Sequence, residues 1–372
     1  MKILHVFKSF YPYTYGGIEK FIHELSVAMD KKYDVEIHIL AMGKKNQTIR
    51  RDFYTLHFAK TNLNIASTTF SFSAIKKFKE LVKQVDIINY HFPYPYADLL
   101  QAICRPNKPY IVTYHSDIIK QKRLMILYKP LMIKFLNGAK YILPTSSNYL
   151  QSSQILKQVK ACKRVIPMSL NKSDYNIDEE NYFYWQKNIG FEKFFIYIGG
   201  LRYYKGLDVL IDTMKEQDYP LVMVGDGDQR ELLEQKVRQN KLQNVKFVGA
   251  LDDKDKLSLL KLSYALVLPS NIRTEAFGLV LLEASMFAKP MITCEIGTGT
   301  TFVNIDKLTG LVAKPDDSQD LAKKLNQLWQ DEQTAKDYGA NAKARFDDVF
   351  SLEKMVESYK SVYDEVIESG VK

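Results

Sequence analysis

Cysteine is scarce. There are three among 372 residues, at positions 104, 162 and 294. An odd number at wide spacing excludes a disulfide framework and the paired spacing of zinc or redox motifs, and a reducing cytosol is the expectation. The Asn46-Gln-Thr48 and Asn171-Lys-Ser173 sequons therefore carry no weight. Long hydrophobic runs are also missing. No apolar stretch reaches the ~18–20 residues a membrane span needs. The N-terminal MKILHVFKSFYPY has Lys8 inside its apolar run and no small-residue cleavage site, so it reads as a first strand and not as a signal peptide. No short repeat or low-complexity segment is visible. All six histidines lie in the first half, which leaves the second half without imidazole chemistry. No cluster of His, Cys or carboxylates has ligand spacing, so no metal is expected. The Asp226-Gly-Asp228 sequence sits in a glycine turn after a core strand and reads as a turn.

What is present is a globular balance: 46% hydrophobic and 26% charged residues. The length suggests two domains. Charge is unevenly placed. Residues 1–175 carry 27 Lys and Arg against 11 Asp and Glu, a net +16, whereas the remainder carries 25 against 32, a net −7. A basic first half points to nucleic acid, an anionic membrane or a phosphorylated substrate; a solvated lysine-rich surface is the other reading.

Both halves alternate short apolar runs with amphipathic segments. Strands are expected at 3–7, 35–40, 85–89, 110–114 and 141–144, then at 194–198, 221–224, 245–248, 265–268 and 291–293. Helices are expected at 18–29, 73–83 and 96–104, then at 207–214, 229–239, 253–262, 277–287 and 318–330, with a last one near 352–367. This rhythm, run twice, implies an α/β protein of two doubly wound domains, with ligands at the carboxyl ends of the strands in a cleft. The first domain is expected to span 1–172 plus the C-terminal helix 352–372, and the second 173–351.

Four stretches could carry chemistry. In TYGGIEKFIHEL, Gly16 and Gly17 follow a strand and open a helix, where backbone amides can approach an anion; a tight turn is the plain alternative. In IGGLRYYKGLDVLI, Arg202 and Lys205 lie at a strand's carboxyl end and suit a diphosphate, or are merely solvated. In TYHSDIIKQKR, His115 and Asp117 follow another strand; His115 could bond a substrate hydroxyl, act as a base, or be structural. In RTEAFGLVLLEASMFAKP, Glu275 and Glu283 interrupt an apolar run. If both were helical, eight residues at 100° would put the carboxylates on one face, with the free amides of Phe277, Gly278 and Leu279 pointing the same way. An unpaired carboxylate within an apolar helix is costly, which argues against a purely structural Glu283.

Together these stretches resemble the retaining glycosyltransferases of family 4, which have the GT-B fold. The resemblance covers nearly the whole chain, and its most specific part is the spacing of Glu275 and Glu283 around AFGL. It implies that Arg202 and Lys205 bind the donor's diphosphate and that Glu283 holds the ribose. Glu275, with the amides of Phe277, Gly278 and Leu279, would grip the sugar and phosphate. Gly16 and Gly17 would close over the phosphates, His115 would contact the sugar near its reacting centre, and Asp117 would orient it. The final helix would cross back to the first domain, and no metal or other cofactor is implied. Two departures stand out: Gly200 where the family often has Arg, and Met168-Ser169 where Asn-Gly is usual.

The segments around His91–Leu100, LRYYKG and IGTGT look most like bacterial O-antigen and lipopolysaccharide mannosyl- or rhamnosyltransferases, which implies GDP-mannose or a related donor. The alternatives are a UDP-sugar donor or a nucleotide-sugar epimerase. The stretch 118–136 mixes Lys120, Lys122, Arg123, Lys129 and Lys134 with large apolar side chains. That composition suits an anionic bilayer surface, or equally a buried amphipathic helix. The expectation is a cytoplasmic enzyme peripherally bound to the inner face of the plasma membrane, acting on a lipid-diphosphate-linked glycan. No nucleic-acid module is present.

Overall fold

A computed structural model describes residues 1–66, 68–119 and 122–370. It divides into two compact units: Met1–Ser169 with the C-terminal helix, and Leu170–Ser351.

The first unit's strands are β1 (Lys2–Val6), β2 (Glu36–Gly43), β3 (Gln47–Arg50), β4 (Thr55–Lys60), β5 (Leu63–Ile65), β6 (Thr68–Phe70), β7 (Ile87–Phe92), β8 (Tyr110–Tyr114), β9 (Tyr141–Pro144) and β10 (Cys162–Lys163). Eight form one sheet in the order β10-β9-β8-β7-β1-β2-β4-β3, while β5 and β6 make a separate hairpin. All neighbours in the large sheet are parallel except β3 with β4. Parallel strands covered on both faces must be apolar throughout, and Ile3, Leu4, Ile39, Leu40, Ile87, Ile88, Ile111 and Val112 are fully buried. The chain reverses direction across the sheet between β1 and β7, so the loops after β1, β7 and β8 gather at the carboxyl ends beside the switch point.

The second unit repeats the plan with β11 (Phe195–Ile198), β12 (Leu221–Val224), β13 (Val245–Gly249), β14 (Ala265–Leu268), β15 (Met291–Cys294) and β16 (Gly310–Ala313). They lie in the order β13-β12-β11-β14-β15-β16, all parallel. The switch point falls between β11 and β14, so the glycine-rich loop after β11 lies beside the Ser270–Gly278 loop.

The C-terminal helix Leu352–Gly370 belongs to the first unit. Met355, Val356, Tyr359, Val362, Tyr363 and Val366 form its buried stripe. Tyr363 accepts from Asn89 at 2.9 Å, and Lys32 pairs with Glu353 and Glu357 at 2.9 and 2.8 Å. Among the described residues, no helix is long and apolar enough to cross a membrane.

Candidate functional site

In the second unit the site is built on three loops at the carboxyl ends of β11, β14 and β15. The first, Gly199–Gly206, is stitched to the loop after β12: Gly199 N–H donates to Val224 O at 3.0 Å and Leu201 N–H to Asp226 O at 2.9 Å. It ends at Gly206, whose φ of +66° few other residues adopt. That turn delivers Lys205 inward, where its ammonium donates to the Glu275 carboxylate. Ser270 Oγ donates to the same carboxylate oxygen at 3.2 Å. The two charged side chains are only 12% and 11% exposed. Burial by itself lowers the lysine's pKa, but the charge of Glu275 and its hydrogen bond outweigh that and hold Lys205 above 10.5. The pair thus holds a charged lysine in a nearly buried place at the mouth of the sheet.

Arg202 takes a different place. Its guanidinium is half-exposed and lies 3.5 Å from Asp228. Its side chain runs past Gly200, with Cγ and Nε 3.6 and 3.8 Å from where a Cβ at 200 would lie. Asp226 pairs with Arg230 at 3.2 Å. Among the described residues, no three His, Cys, Asp or Glu side chains are grouped as metal ligands.

The two glutamates do not share a helix. The helix is Leu279–Met286, starting two residues later than the sequence implies, because Gly278 adopts φ +81° and breaks the approach. Glu275 sits in the preceding loop, where its amide donates to Ile272 O at 3.0 Å. The shared-face reading therefore fails, and Phe277 and Gly278 belong to the loop while Leu279 begins the helix. Glu283, within the helix, is buried and accepts from Lys256 at 3.2 Å. Lys256 lies on the helix Asp253–Leu262 and also pairs with Asp253 at 2.7 Å. Burial depresses Lys256, but Glu283 and Asp253 raise it above 10.5. Sequence reasoning missed Lys256, because its partner lies 27 residues away on another element.

The third loop, after β15, clamps the second. Arg273 donates to Gly297 O at 2.8 Å and Gly299 N–H to Ala276 O at 2.8 Å. A Cβ at Gly299 would lie 2.5 Å from the Phe277 ring. The glycines of EIGTGT thus let the two loops touch.

In the first unit, Gly16 is the N-cap of the helix Gly17–Tyr33 and is extended, with φ −128°. The buried Glu19, which sequence reasoning passed over, accepts from Ser9 at 2.8 Å and Thr14 at 2.7 Å and so ties down the loop that carries both glycines. Asp117 Oδ1 accepts from Tyr114 and Ser153, each at 2.6 Å, and its amide donates to Tyr149 at 2.6 Å. His115 is buried and its Nε2 faces Nδ1 of His91 at 3.1 Å. Its ring is therefore oriented by His91 and not by Asp117. Lys120 and Gln121 of the proposed membrane stretch lie outside the described residues, as do the side chains of Lys122 and Arg123.

Comparisons with known proteins agree on one family. The model described as "Glycosyl transferases group 1" matches residues 183–345 and "Glycosyltransferase Family 4" matches 15–168. The chain is 42% identical to O-antigen chain mannosyltransferase C of Escherichia coli, covering 99% of this chain and 100% of that one. It is 41% identical to D-rhamnosyltransferase WbpZ of Pseudomonas aeruginosa, covering 94% and 92%. Among solved structures, sucrose-phosphate synthase from Thermosynechococcus elongatus superposes with a TM-score of 0.82 at 20% identity, covering 99% of each chain. HepE of Anabaena in complex with UDP gives 0.79 at 18%, covering 98% of this chain and 100% of that one. At that identity the likeness speaks for the fold alone, two Rossmann-like α/β domains of the GT-B class.

Proposed function

Because the chain belongs to the family 4 glycosyltransferases, we propose that it moves a hexose, with retention, from a nucleotide-diphosphate sugar to a lipid-linked glycan of a bacterial surface polysaccharide. GDP-mannose is the preferred donor, by likeness to the mannosyl- and rhamnosyltransferase relatives. The observation that carries the reading is the buried Lys205–Glu275 pair beside the β11–β14 switch point. A cation held there neutralises the departing diphosphate, and its counterion accepts from sugar hydroxyls. Arg202, whose side chain fills the space beside Gly200, supplies the second cation. Glu283, held by Lys256, takes the ribose hydroxyls. Leu279's amide and the loop at Phe277 and Gly278 add donors to the phosphate. From the first unit, Gly16 and Gly17 close over the phosphates, His115 contacts the sugar, and Asp117 braces the loop behind it.

With both glutamates committed to binding, attack from the front face is favoured. The acceptor oxygen bonds the anomeric carbon as the sugar–phosphate bond breaks, and the hydroxyl proton passes to the leaving phosphate. A panel of nucleotide sugars, read by enzyme-dependent hydrolysis and thermal stabilisation, tests the donor. GDP-mannose should stabilise and be hydrolysed. Stabilisation by UDP sugars alone, or release of an epimerised sugar nucleotide, overturns the reading.

The acceptor side rests on an exposed apolar surface of the first unit. On the helix Lys122–Gly138, Leu124, Ile126 and Leu127 are 51%, 75% and 82% exposed, with Lys129 and Lys134 exposed beside them. A cavity of about 350 Å³, lined by Ile65, Phe70, Ile118, Leu124, Leu127 and Tyr128 among others, opens there. Apolar side chains with flanking lysines suit an anionic bilayer and its lipid-linked acceptor. The protein should co-sediment with anionic liposomes at low salt, and Leu127→Glu should weaken this about tenfold. Indifference to anionic liposomes at low salt sinks the membrane assignment.

A further inference from the structure

Three histidines on adjacent strands form a hydrogen-bonded stack of which the proposed reaction uses only one end. His5 is on β1, His91 on β7 and His115 follows β8, and these strands are neighbours in the order β8-β7-β1. Nδ1 of His5 lies 2.9 Å from Nε2 of His91, and Nδ1 of His91 lies 3.1 Å from Nε2 of His115. The rings are stacked, with centroids 5.2 and 5.4 Å apart and planes within 25°. All three are buried, and aromatic edges pack on them: Phe7 and Phe21 on His91, and Phe21 on His115. Burial pushes His5 and His115 down to about 3 and His91 well below its ordinary value, so the rings are neutral.

Neutral imidazoles couple strictly. Each N–H···N bond needs one donor and one acceptor, so either every ring carries its proton on Nδ1 or every ring carries it on Nε2. Two nitrogens, Nε2 of His5 and Nδ1 of His115, are buried with no hydrogen-bond partner among the described residues. The same unit contains an instructive contrast. His38 and His57 form the same Nδ1···Nε2 contact at 3.1 Å, but there Glu36 meets His38 at 3.0 Å and Thr48 meets His57 at 3.1 Å. That chain is closed at both ends and has no nitrogen to spare. The His5–His91–His115 chain has one at each end.

We propose that His5 and His91 are positioning residues that lock His115 in one neutral tautomer and one ring orientation, so that its Nδ1 meets the donor sugar with a fixed hydrogen-bonding role. The inference rests on the reading that His115 touches that sugar. Reversing the stack requires a proton to enter at one terminal nitrogen while another leaves at the far end. Nε2 of His5 is buried with no partner among the described residues to supply or take one, so the tautomer persists through turnover. His115 is then a neutral contact to a sugar hydroxyl and not the base for the acceptor, which agrees with proton transfer to the leaving phosphate.

The test is long-range ¹H–¹⁵N correlation NMR on the full-length, ¹⁵N-histidine-labelled protein, with transfer kinetics on the same samples. Wild type should show one shared tautomer for His5, His91 and His115. His91→Phe keeps the ring shape but removes both bonds; His115 should become a tautomer mixture, and kcat should fall about tenfold with donor KM little changed. His91→Gln, which keeps one donor and one acceptor, should recover most of the rate. If His91→Phe does not fold, His5→Phe provides a second, more distant variant and should also mix the His115 tautomers. Mixed tautomers in wild type, or an unchanged His115 in the variants, overturns the lock. Shifted tautomers with full kcat overturn its role in positioning. Full transfer by His115→Ala overturns the sugar contact instead and leaves the lock standing.

Discussion

Glu275→Gln should lower transfer by about 10³-fold, the scale of losing one preorganised charged contact in a dry site. Two effects combine. The sugar loses its acceptor, and Lys205 loses the counterion that holds it charged. Once the carboxylate is gone, burial is the dominant influence on Lys205 and its pKa falls. Breaking a buried pair from one side typically costs roughly 3 kcal/mol of stability, because the remaining charge is left uncompensated. Lys205→Met should cost a similar amount in both respects. The double variant Lys205→Met with Glu275→Gln should be less destabilised than the sum of the singles, since no charge is stranded. Steady-state kinetics with denaturant unfolding measure all three. Additive stability losses would mean that the two groups do not act as a pair. The sign of the pH dependence follows from the raised lysine. Its stabilisation is complete at neutral pH and is lost only as pH climbs past 10.5.

Gly206→Ala should destabilise the second unit by roughly 3 kcal/mol and abolish transfer, although it adds one methyl group and no charge. The residue sits at φ +66° and ψ +23°, where a Cβ is strained. A Cβ there would also drive into the carbonyl oxygen of Pro269, which is backbone and cannot swing aside. Pro269 leads into the loop that carries Glu275, and Gly206 directly follows Lys205, so relief of the clash parts the pair. Gly190, with φ +81° and nothing within 4 Å of its would-be Cβ, is the control. Gly190→Ala has the backbone penalty without the clash and should retain transfer. Thermal unfolding and activity separate the two; a Gly206→Ala protein with wild-type kinetics would remove the steric argument.

The sheet strands were legible because a parallel strand buried on both faces must be written as a short apolar run. Phe195–Ile198, Leu221–Val224 and Ala265–Leu268 match the sequence expectation almost residue for residue. The edge elements were not. Gln47–Arg50 alternates half-exposed positions on a polar edge and carries no apolar run. The helix Glu332–Val349 escaped because its buried face is Ala335, Gly339, Ala342 and Phe346, and a single large apolar residue among small ones gives little hydrophobic periodicity. Gly339 is needed there since a Cβ would strike the Ala288 carbonyl.

The resemblance of its motifs implied the family and the returning helix, whereas the residues by themselves determined two doubly wound domains and which side chains are chemically expensive to keep. Local rules suffice for these, because apolar runs, glycine turns and buried carboxylates each impose their cost within a few residues. Only the tertiary structure decided who partners whom. Lys205 meets Glu275 across 70 residues, Lys256 meets Glu283 across 27, and His5 reaches His115 through His91 across the strands of one sheet. Strand order brings those residues together, and strand order is set by packing whole elements against one another, which no short stretch records.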